Sequence, residues 1–252
     1  MQFFFLQNLN PTLAHQSKTL FVKLKPMKIK HVFFDLDHTL WDFEKNSRLT
    51  FEKVFQKHAI GVKIHDFNEI YHPINERYWK LYREEKVSKA ELRYGRLKES
   101  FDLLSYSLSD EMIDILAVDY IEHLADFNHV FDHTHELLAY LYDRYELHII
   151  TNGFDEIQHR KMVSSRLLPF FKHVITSEQV GVKKPNPKIF HYALEKAKAK
   201  PEESMMLGDN AEADIEGAKL VGMHAIHCRL NGEKHINGHI SVKSLIELKS
   251  YL

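Results

Sequence analysis

Short apolar runs that alternate with helix-forming stretches are the feature of this sequence that most restricts its fold. The runs are rich in β-branched and aromatic residues and lack the polar alternation of a half-exposed strand. They are KHVFFD (30–35), ELHIIT (146–151), HVITSE (173–178), SMMLGD (204–209) and HAIHCRL (224–230). Leucine-rich or amphipathic stretches at 136–145, 188–199 and 214–221 lie between them. Parallel strands joined by helices give right-handed crossover units, so the predicted fold class is α/β with a doubly wound parallel sheet.

Residues 44–128 interrupt this alternation. Their apolar residues follow helical spacing, and Ser88 with Glu91 forms a capping-box pattern. We therefore predict an all-helical domain at 44–128, inserted into an α/β core domain formed by 27–43 and 129–252. Residues 1–26 are predicted to be a disordered or loosely packed upstream extension, because the sequence from Met27 onward, MKIKHVFFDLDHTL, is typical of the natural start of a chain.

The balance of charges restricts the binding partners. The chain has 34 Lys and Arg against 35 Asp and Glu, so no broad surface for nucleic acid polymers or anionic membranes is expected. No run approaches the roughly 20 apolar residues of a membrane span. Cys228 is the only cysteine, which excludes an intrachain disulfide and fits a reducing compartment. We expect a cytoplasmic monomer or small homo-oligomer that binds small molecules.

Polar side chains follow the predicted strands at the points where the strands end. Because parallel strands place their carboxyl ends along one edge of the sheet, these side chains are expected to converge there. They are Asp35, Asp37, Thr151, Asn152, Lys184, Asp209 and Asp214.

Clustered carboxylates repel one another and are costly to bury, so a bound dication would offset the cost. Mg²⁺ takes oxygen ligands, which Asp35 and Asp209 can supply. A carboxylate beside the metal can attack phosphorus, and a second acid can protonate the leaving alkoxide. Thr151 with the backbone N–H groups after it can hold phosphate oxygens, and Lys184 can neutralise charge in the transition state.

Four segments of the chain resemble the motifs of the haloacid dehalogenase-like (HAD) superfamily of phosphohydrolases. DLDHTL is similar to the first motif, TNG to the second, GVKKPNPKIF to the third and GDNAEAD to the fourth. They occur in family order between residues 30 and 235, each after a predicted strand. The helical insertion resembles the C1-type cap of this family.

The resemblance implies specific roles. Asp35 would be the nucleophile and a Mg²⁺ ligand, and Asp37 the general acid and base, with its backbone carbonyl on the metal. Thr151, Asn152 and Lys184 would hold the phosphoryl group, Lys183 being a bystander. Asp209 would bind the metal, whereas Asp214 would support the ligands or only complement a helix dipole. Dehalogenases lack the second acid of the first motif, so Asp37 favours phosphate chemistry.

Several residues in or next to the predicted cap could contact the substrate, and some of them also have a purely structural interpretation. Phe43 and Asn46 are expected near the mouth of the site. Arg93 and Arg96 lie three apart and either form a solvated face or reach the substrate. The aromatic stripe Tyr71, Tyr78, Trp79 and Tyr82 forms either core or a platform that stacks a substrate ring.

The function implied is a Mg²⁺-dependent phosphomonoester hydrolase that acts through an aspartyl-phosphate on a small phosphorylated metabolite. Among C1-capped members, DLDHTLWDFEKNS and the Arg93–Arg96 stretch resemble noncanonical pyrimidine 5′-nucleotidases, which implies a nucleoside 5′-monophosphate as substrate. The alternatives are a sugar-phosphate or phosphoglycolate phosphatase, a phosphomutase, or a catalytically silent binding protein.

Overall fold

A six-stranded parallel sheet forms the centre of the molecule in the computed structural model, which describes residues 29–232 and 234–252. The predicted extension 1–26 lies outside the described residues. The spatial order of the strands is β3-β2-β1-β4-β5-β6, and every neighbouring pair is parallel. The strands are β1 (His31–Phe34), β2 (Glu146–Thr151), β3 (His173–Thr176), β4 (Ser204–Gly208), β5 (His224–Cys228) and β6 (Ser241–Val242).

Helices cover both faces of this sheet and also form a separate insertion. They are α1 (Phe43–Lys57), α2 (Ile64–Arg83), α3 (Lys89–Leu103), α4 (Asp110–His123), α5 (Thr134–Tyr142), α6 (Asp155–Ser164), α7 (Ser177–Val180), α8 (Pro187–Ala197) and α9 (Gly217–Leu220). A π-helical turn, Ala211–Glu216, precedes α9. Within the described part of the chain, no helix is long and apolar enough to cross a membrane.

The apolar runs form strands because both of their faces are buried. All four residues of β1 are buried, and its side chains alternate between two clusters. Phe34 belongs to the buried cluster that includes the α5 leucines, whereas Phe33 belongs to the cluster that includes Ile189 and Phe190 of α8. The predicted α/β class with a doubly wound parallel sheet is therefore confirmed.

The insertion after β1 consists of α1 to α4 and a 3₁₀ turn, Leu124–Asp126, joined by short loops, and no β-strand is found among residues 44–128. α1 begins at Phe43, one residue before the predicted boundary, because Asp42 caps it by accepting a hydrogen bond from the Lys45 N–H at 3.1 Å. The chain returns to the core beside the place where it left, since the Asp42 N–H donates to the His129 carbonyl at 3.1 Å. Four interlocking rings form the apolar centre of the insertion: Phe51, Phe67, Tyr71 and Tyr120.

A buried histidine on β2 is expected to make the stability of the fold sensitive to acid. His148 is fully buried and stacks on the rings of Phe33 and His173. Burial, assisted by the charges of His31 and His173, lowers the pKa of His148 from 6.5 to about 3. The unfolded chain therefore binds a proton in the window from about pH 6.5 to about pH 3 that the folded chain does not bind.

We expect this histidine to lower the free energy of unfolding by about 2 kcal/mol between pH 7 and pH 5, since each pH unit below its unfolded pKa costs up to about 1.4 kcal/mol. Urea denaturation at the two pH values measures the difference. The substitution His148→Phe should remove most of it, whereas His191→Phe, at an exposed position of α8, should leave it unchanged. An identical acid sensitivity in His148→Phe would contradict the assignment.

Candidate active site

Asp35 stands at the carboxyl end of the central strand β1. Its backbone N–H donates to the Leu207 carbonyl at 2.8 Å, which continues the pairing with β4 and fixes the start of the loop. The residue is only 8% exposed, and one carboxylate oxygen, Oδ1, accepts a hydrogen bond from Lys184 Nζ at 2.5 Å. The carboxylate therefore lies at the sheet edge where the predicted site residues were expected to meet.

The Lys184 side chain contacts groups from three different segments at the sheet edge. Its ammonium group lies 2.5 Å from Asp35 Oδ1, 2.7 Å from Asp214 Oδ1 and 2.6 Å from the Ile150 carbonyl oxygen. Asn152 holds the lysine backbone on both sides: its Oδ1 accepts from the Lys184 N–H at 2.8 Å, and its Nδ2 donates to the Lys184 carbonyl at 3.0 Å. Lys183, by contrast, places its Nζ 4.1 Å from the centre of the Tyr82 ring.

The electrostatics of this cluster depend on burial and on the excess of acids. Burial raises the pKa of Asp35 well above its ordinary value; Lys184 opposes the shift, and Asp214 and Asp209 reinforce it. Burial alone would lower the pKa of Lys184, but the carboxylates of Asp214 and Asp35 outweigh it and raise that pKa. The lysine is therefore held as an ammonium ion, and an added cation would favour the ionised form of Asp35.

A group of three carboxylates could hold a metal ion. Oxygen atoms of Asp35, Asp209 and Asp214 all lie within 4.8 Å of one another. Thr39 Oγ1 donates to Asp209 Oδ1 at 3.2 Å, and the Asn210 N–H donates to Asp214 Oδ2 at 3.0 Å.

The strand end beside this group is shaped to admit a buried acid. A Cβ atom on Gly208 would lie 2.3 Å from Asp214 Oδ2, so only glycine lets that side chain reach the cluster. The oxygen donors are those that Mg²⁺ prefers, and three carboxylates against one ammonium leave negative charge for a dication to neutralise. The residues of this edge therefore fit a bound Mg²⁺.

Asp37 is near the cluster but its carboxylate contacts a different element. Oδ1 accepts from Lys161 Nζ at 2.7 Å, and Oδ2 accepts from Gln158 Nε2 at 2.9 Å. Gln158 Nε2 also donates to Thr151 Oγ1 at 2.8 Å. Both partners come from α6, and they were not predicted as site residues because they lie outside the four motifs. Their spacing of three residues on the first helix after the TNG segment is the signal that would have found them.

A cavity of about 560 Å³ opens above these groups, between the sheet edge and α2. Its core-side lining includes every predicted catalytic, phosphate-binding and metal-binding residue: Asp35, Asp37, Thr151, Asn152, Lys184, Asp209 and Asp214. The helical insertion contributes a mixed wall of aromatic, amide and charged side chains: Phe43, Asn75, Glu76, Arg77, Trp79, Lys80 and Arg83. The volume lies within the range of small-molecule sites.

Among the predicted substrate contacts, Phe43 lines this cavity, whereas Asn46 does not. Asn46 is fully buried and ties the two chain crossings together. Its Nδ2 donates to the carbonyls of Asp42 and His129 at 2.8 Å each, and its Oδ1 accepts from the His129 N–H at 2.9 Å. In place of the predicted substrate contact, the structure thus shows a side chain that fixes the junction between insertion and core.

Arg96 lies inside the insertion rather than at its surface. It is 2% exposed, donates to Asn75 Oδ1 at 2.8 Å and lies over the rings of Tyr120 and Tyr71. The guanidinium group thus lies against the aromatic centre of the insertion, and its hydrogen-bond partner Asn75 lines the cavity.

Arg93 also lies outside the lining of the cavity. Its guanidinium carbon is 4.4 Å from the centre of the Phe154 ring, and it pairs with Glu156 of α6. This side chain therefore bridges the insertion and the core, and is neither the solvated residue nor the cavity-lining substrate contact that were predicted as alternatives. The aromatic stripe divides in a similar way: Tyr71 is core, whereas Trp79 lines the cavity.

Comparison with known proteins identifies the family of this chain. A profile of haloacid dehalogenase-like hydrolases matches residues 29–222. The chain belongs to this family of hydrolases.

Two curated relatives match almost the full length of the chain. The pyrimidine 5′-nucleotidase PynA of Streptococcus pneumoniae is 30% identical over 227 residues, which cover 89% of this chain and 93% of that protein. The pyrimidine 5′-nucleotidase YjjG of Escherichia coli is 31% identical over 233 residues, covering 90% and 99%. Among solved structures, the HAD-hydrolase YfnB of Bacillus subtilis, bound to magnesium, superimposes with a TM-score of 0.81 at 26% identity, covering 89% of this chain and 99% of that one.

Proposed function

We propose that this hydrolase cleaves phosphomonoesters of small metabolites, with Mg²⁺ as cofactor and an aspartyl-phosphate at Asp35 as intermediate. The observation that carries the proposal is the convergence of one lysine and three carboxylates around the end of β1, at the floor of a cavity of about 560 Å³. A phosphoryl group requires a nucleophile, a cation and fixed donors in one place, and this edge of the sheet supplies them.

Asp35 and Asp209 would hold the metal together with the backbone carbonyl of Asp37. Asp214, which already pairs with Lys184, would act behind these ligands by holding the lysine. When bound, Mg²⁺ would supply charge neutralisation at the phosphate oxygens. Lys184, Thr151 and Asn152 would keep the phosphoryl group in line with Asp35.

The chain's own acids then account for both half-reactions. A carboxylate oxygen of Asp35 attacks phosphorus while the bond to the leaving oxygen breaks, and the Asp37 carboxyl gives its proton to that oxygen. A water molecule next attacks phosphorus, Asp37 takes a proton from it, and the bond between phosphorus and Asp35 breaks. Inorganic phosphate and the alcohol are the products, and both aspartates return to their starting states.

The wall contributed by the insertion points to a substrate with a flat ring. Trp79 and Phe43 line the cavity beside polar groups such as Asn75, a combination that can stack a base and hydrogen-bond its edge. The relatives PynA and YjjG are named for activity on pyrimidine 5′-nucleotides. We therefore propose a pyrimidine nucleoside 5′-monophosphate as the preferred substrate, and a cytoplasmic location in keeping with the single, buried Cys228.

Phosphate release from a panel of nucleoside monophosphates, sugar phosphates and phosphoglycolate tests this function. We expect turnover that disappears with EDTA, returns with added Mg²⁺, and is at least about tenfold higher in kcat/KM for pyrimidine nucleotides than for sugar phosphates, a difference of about 1.4 kcal/mol. Equal rates on every compound would contradict the proposal that the cavity wall stacks a substrate ring. Undiminished turnover after exhaustive chelation would contradict the metal requirement.

A further inference from the structure

Lys161 is a buried lysine that none of the four sequence motifs includes. It lies on α6, is 2% exposed, and its Nζ lies 4.4 Å from the centre of the Trp41 ring and 5.4 Å from that of Phe43. Removing an ammonium group from water costs several kcal/mol unless a partner of opposite charge is fixed beside it. Asp37 provides that charge, with 2.7 Å between Lys161 Nζ and Asp37 Oδ1.

The contact fixes an orientation as well as neutralising a charge. Lys161 holds Oδ1 of Asp37 while Gln158, one turn earlier on the same face of α6, holds Oδ2 at 2.9 Å. Two donors on two oxygens define the plane of the carboxylate, and each oxygen keeps a lone pair for other contacts. The Asp37 side chain is 18% exposed and lines the cavity, so these remaining positions are accessible from the substrate side.

Neighbouring side chains enclose both donors. The rings of Trp41 and Phe43 lie against the lysine head, and Gln158 is fully buried with a second bond to Thr151 Oγ1 at 2.8 Å. This arrangement connects the proton-transferring acid to a proposed phosphate-binding residue through one amide. A displacement of α6 would therefore misalign both groups together.

We propose that Lys161, assisted by Gln158, is a positioning residue that aims the Asp37 carboxyl at the leaving oxygen of the substrate. The inference rests on the proposed phosphatase function. Lys161 keeps its protons throughout: Asp37 gives one to the leaving oxygen as the bond from phosphorus breaks, and regains one from the attacking water. Lys161 acts only by holding Asp37 at the geometry that both transfers require.

The leaving group distinguishes positioning from a merely structural role. An alkoxide is a poor leaving group that depends on a proton from Asp37, whereas 4-nitrophenolate leaves without one. For a mechanism with a covalent intermediate, kcat/KM reports only the steps up to formation of that intermediate. Loss of positioning therefore lowers kcat/KM selectively for alkyl phosphates, while general damage to the site lowers it for both substrates.

The test compares Lys161→Met with wild-type protein on uridine 5′-monophosphate and 4-nitrophenyl phosphate, in saturating Mg²⁺. We expect kcat/KM to fall about 100-fold on the nucleotide and less than about 5-fold on the aryl ester, with Asp37→Asn showing the same selectivity. Lys161→Arg should recover part of the nucleotide rate, because it retains the charge and the donor. Arg160→Met, next to it on α6 but bonded to the Glu122 carbonyl at the surface, should keep both rates.

Gln158→Leu provides a second variant if Lys161→Met does not fold, and it should show the same selectivity at smaller amplitude. Equal losses on both substrates, or no loss on either, in the folded variants would overturn the positioning role and leave the phosphatase function intact. Wild-type protein that hydrolyses neither ester would refute the proposed function itself, and the inference with it.

Discussion

Replacement of Asp35 by asparagine is expected to lower kcat by at least about 10⁴-fold, the scale of effect seen when a nucleophile is removed. The amide is nearly the same size as the carboxylate, so the hydrogen bond from Lys184 to Oδ1 can persist and the fold is preserved. What disappears is the anionic oxygen that would attack phosphorus and bind the metal. Phosphate release from the preferred nucleotide, with a detection limit below the expected residual rate, measures this loss.

Asp132→Asn is the matched control, because it makes the same chemical change at an exposed position of the core. It should retain the wild-type rate within about twofold, as surface substitutions usually do. Comparable thermal unfolding of Asp35→Asn and the wild type would show that the loss is chemical. An Asp35→Asn protein with more than a few per cent of wild-type activity would contradict the assignment of the nucleophile.

Replacement of Lys184 by methionine is expected to affect both catalysis and stability. The ammonium group lies between the carboxylates of Asp35 and Asp214, and its removal leaves these buried acids without a counter-charge. Breaking a buried pair in this way costs about 3–5 kcal/mol of unfolding free energy. Loss of a cation that stabilises the transition state lowers kcat by about 10²–10³-fold.

Added Mg²⁺ should separate the two effects of Lys184→Met, because a dication at the carboxylates replaces the missing charge but not the contact with the phosphoryl group. Melting temperatures with EDTA and with saturating Mg²⁺ should therefore differ more for Lys184→Met than for the wild type, while kcat stays low in both conditions. Lys183→Met removes a neighbouring lysine that packs on Tyr82 and should change neither quantity appreciably. Equal melting temperatures for Lys184→Met and wild type in EDTA would contradict the role of Lys184 as counter-charge to Asp35 and Asp214.

The sheet and its polar edge could be predicted because they depend on local patterns. Runs such as ELHIIT are apolar on both faces and end in side chains that bind ligands, so strand, edge and candidate site come from the same residues. The two-residue strand β6 could not be predicted, because Ser241 and Val242 are too few to show a period. A helix was predicted to begin at Asp214, but a π-helical turn, Ala211–Glu216, occupies this place. Within that turn, the Asp214 side chain points inward and pairs with Lys184.

The wall of the cavity was harder to predict, because it depends on how helices pack. Arg96 has the sequence signature of a solvated or substrate-facing residue, yet aromatic rings from two other helices enclose it. Lys161 is the converse case, since a lysine in a polar helix is ordinarily exposed and here its partner Asp37 lies 124 residues earlier in the chain. Spacing along a helix identifies which residues share a face, but not what that face meets.

Chemical trapping of the phosphorylated protein shows whether Asp35 is the nucleophile. Wild-type protein is mixed with Mg²⁺ and a nucleotide that carries the radiolabel in its phosphate group. The reaction is quenched in acid within one turnover, and the protein is digested for peptide mapping. We expect label on the peptide that contains Asp35, and no label in Asp35→Asn. Rapid hydrolysis without labelled protein, or label on a peptide that lacks Asp35, would contradict this expectation.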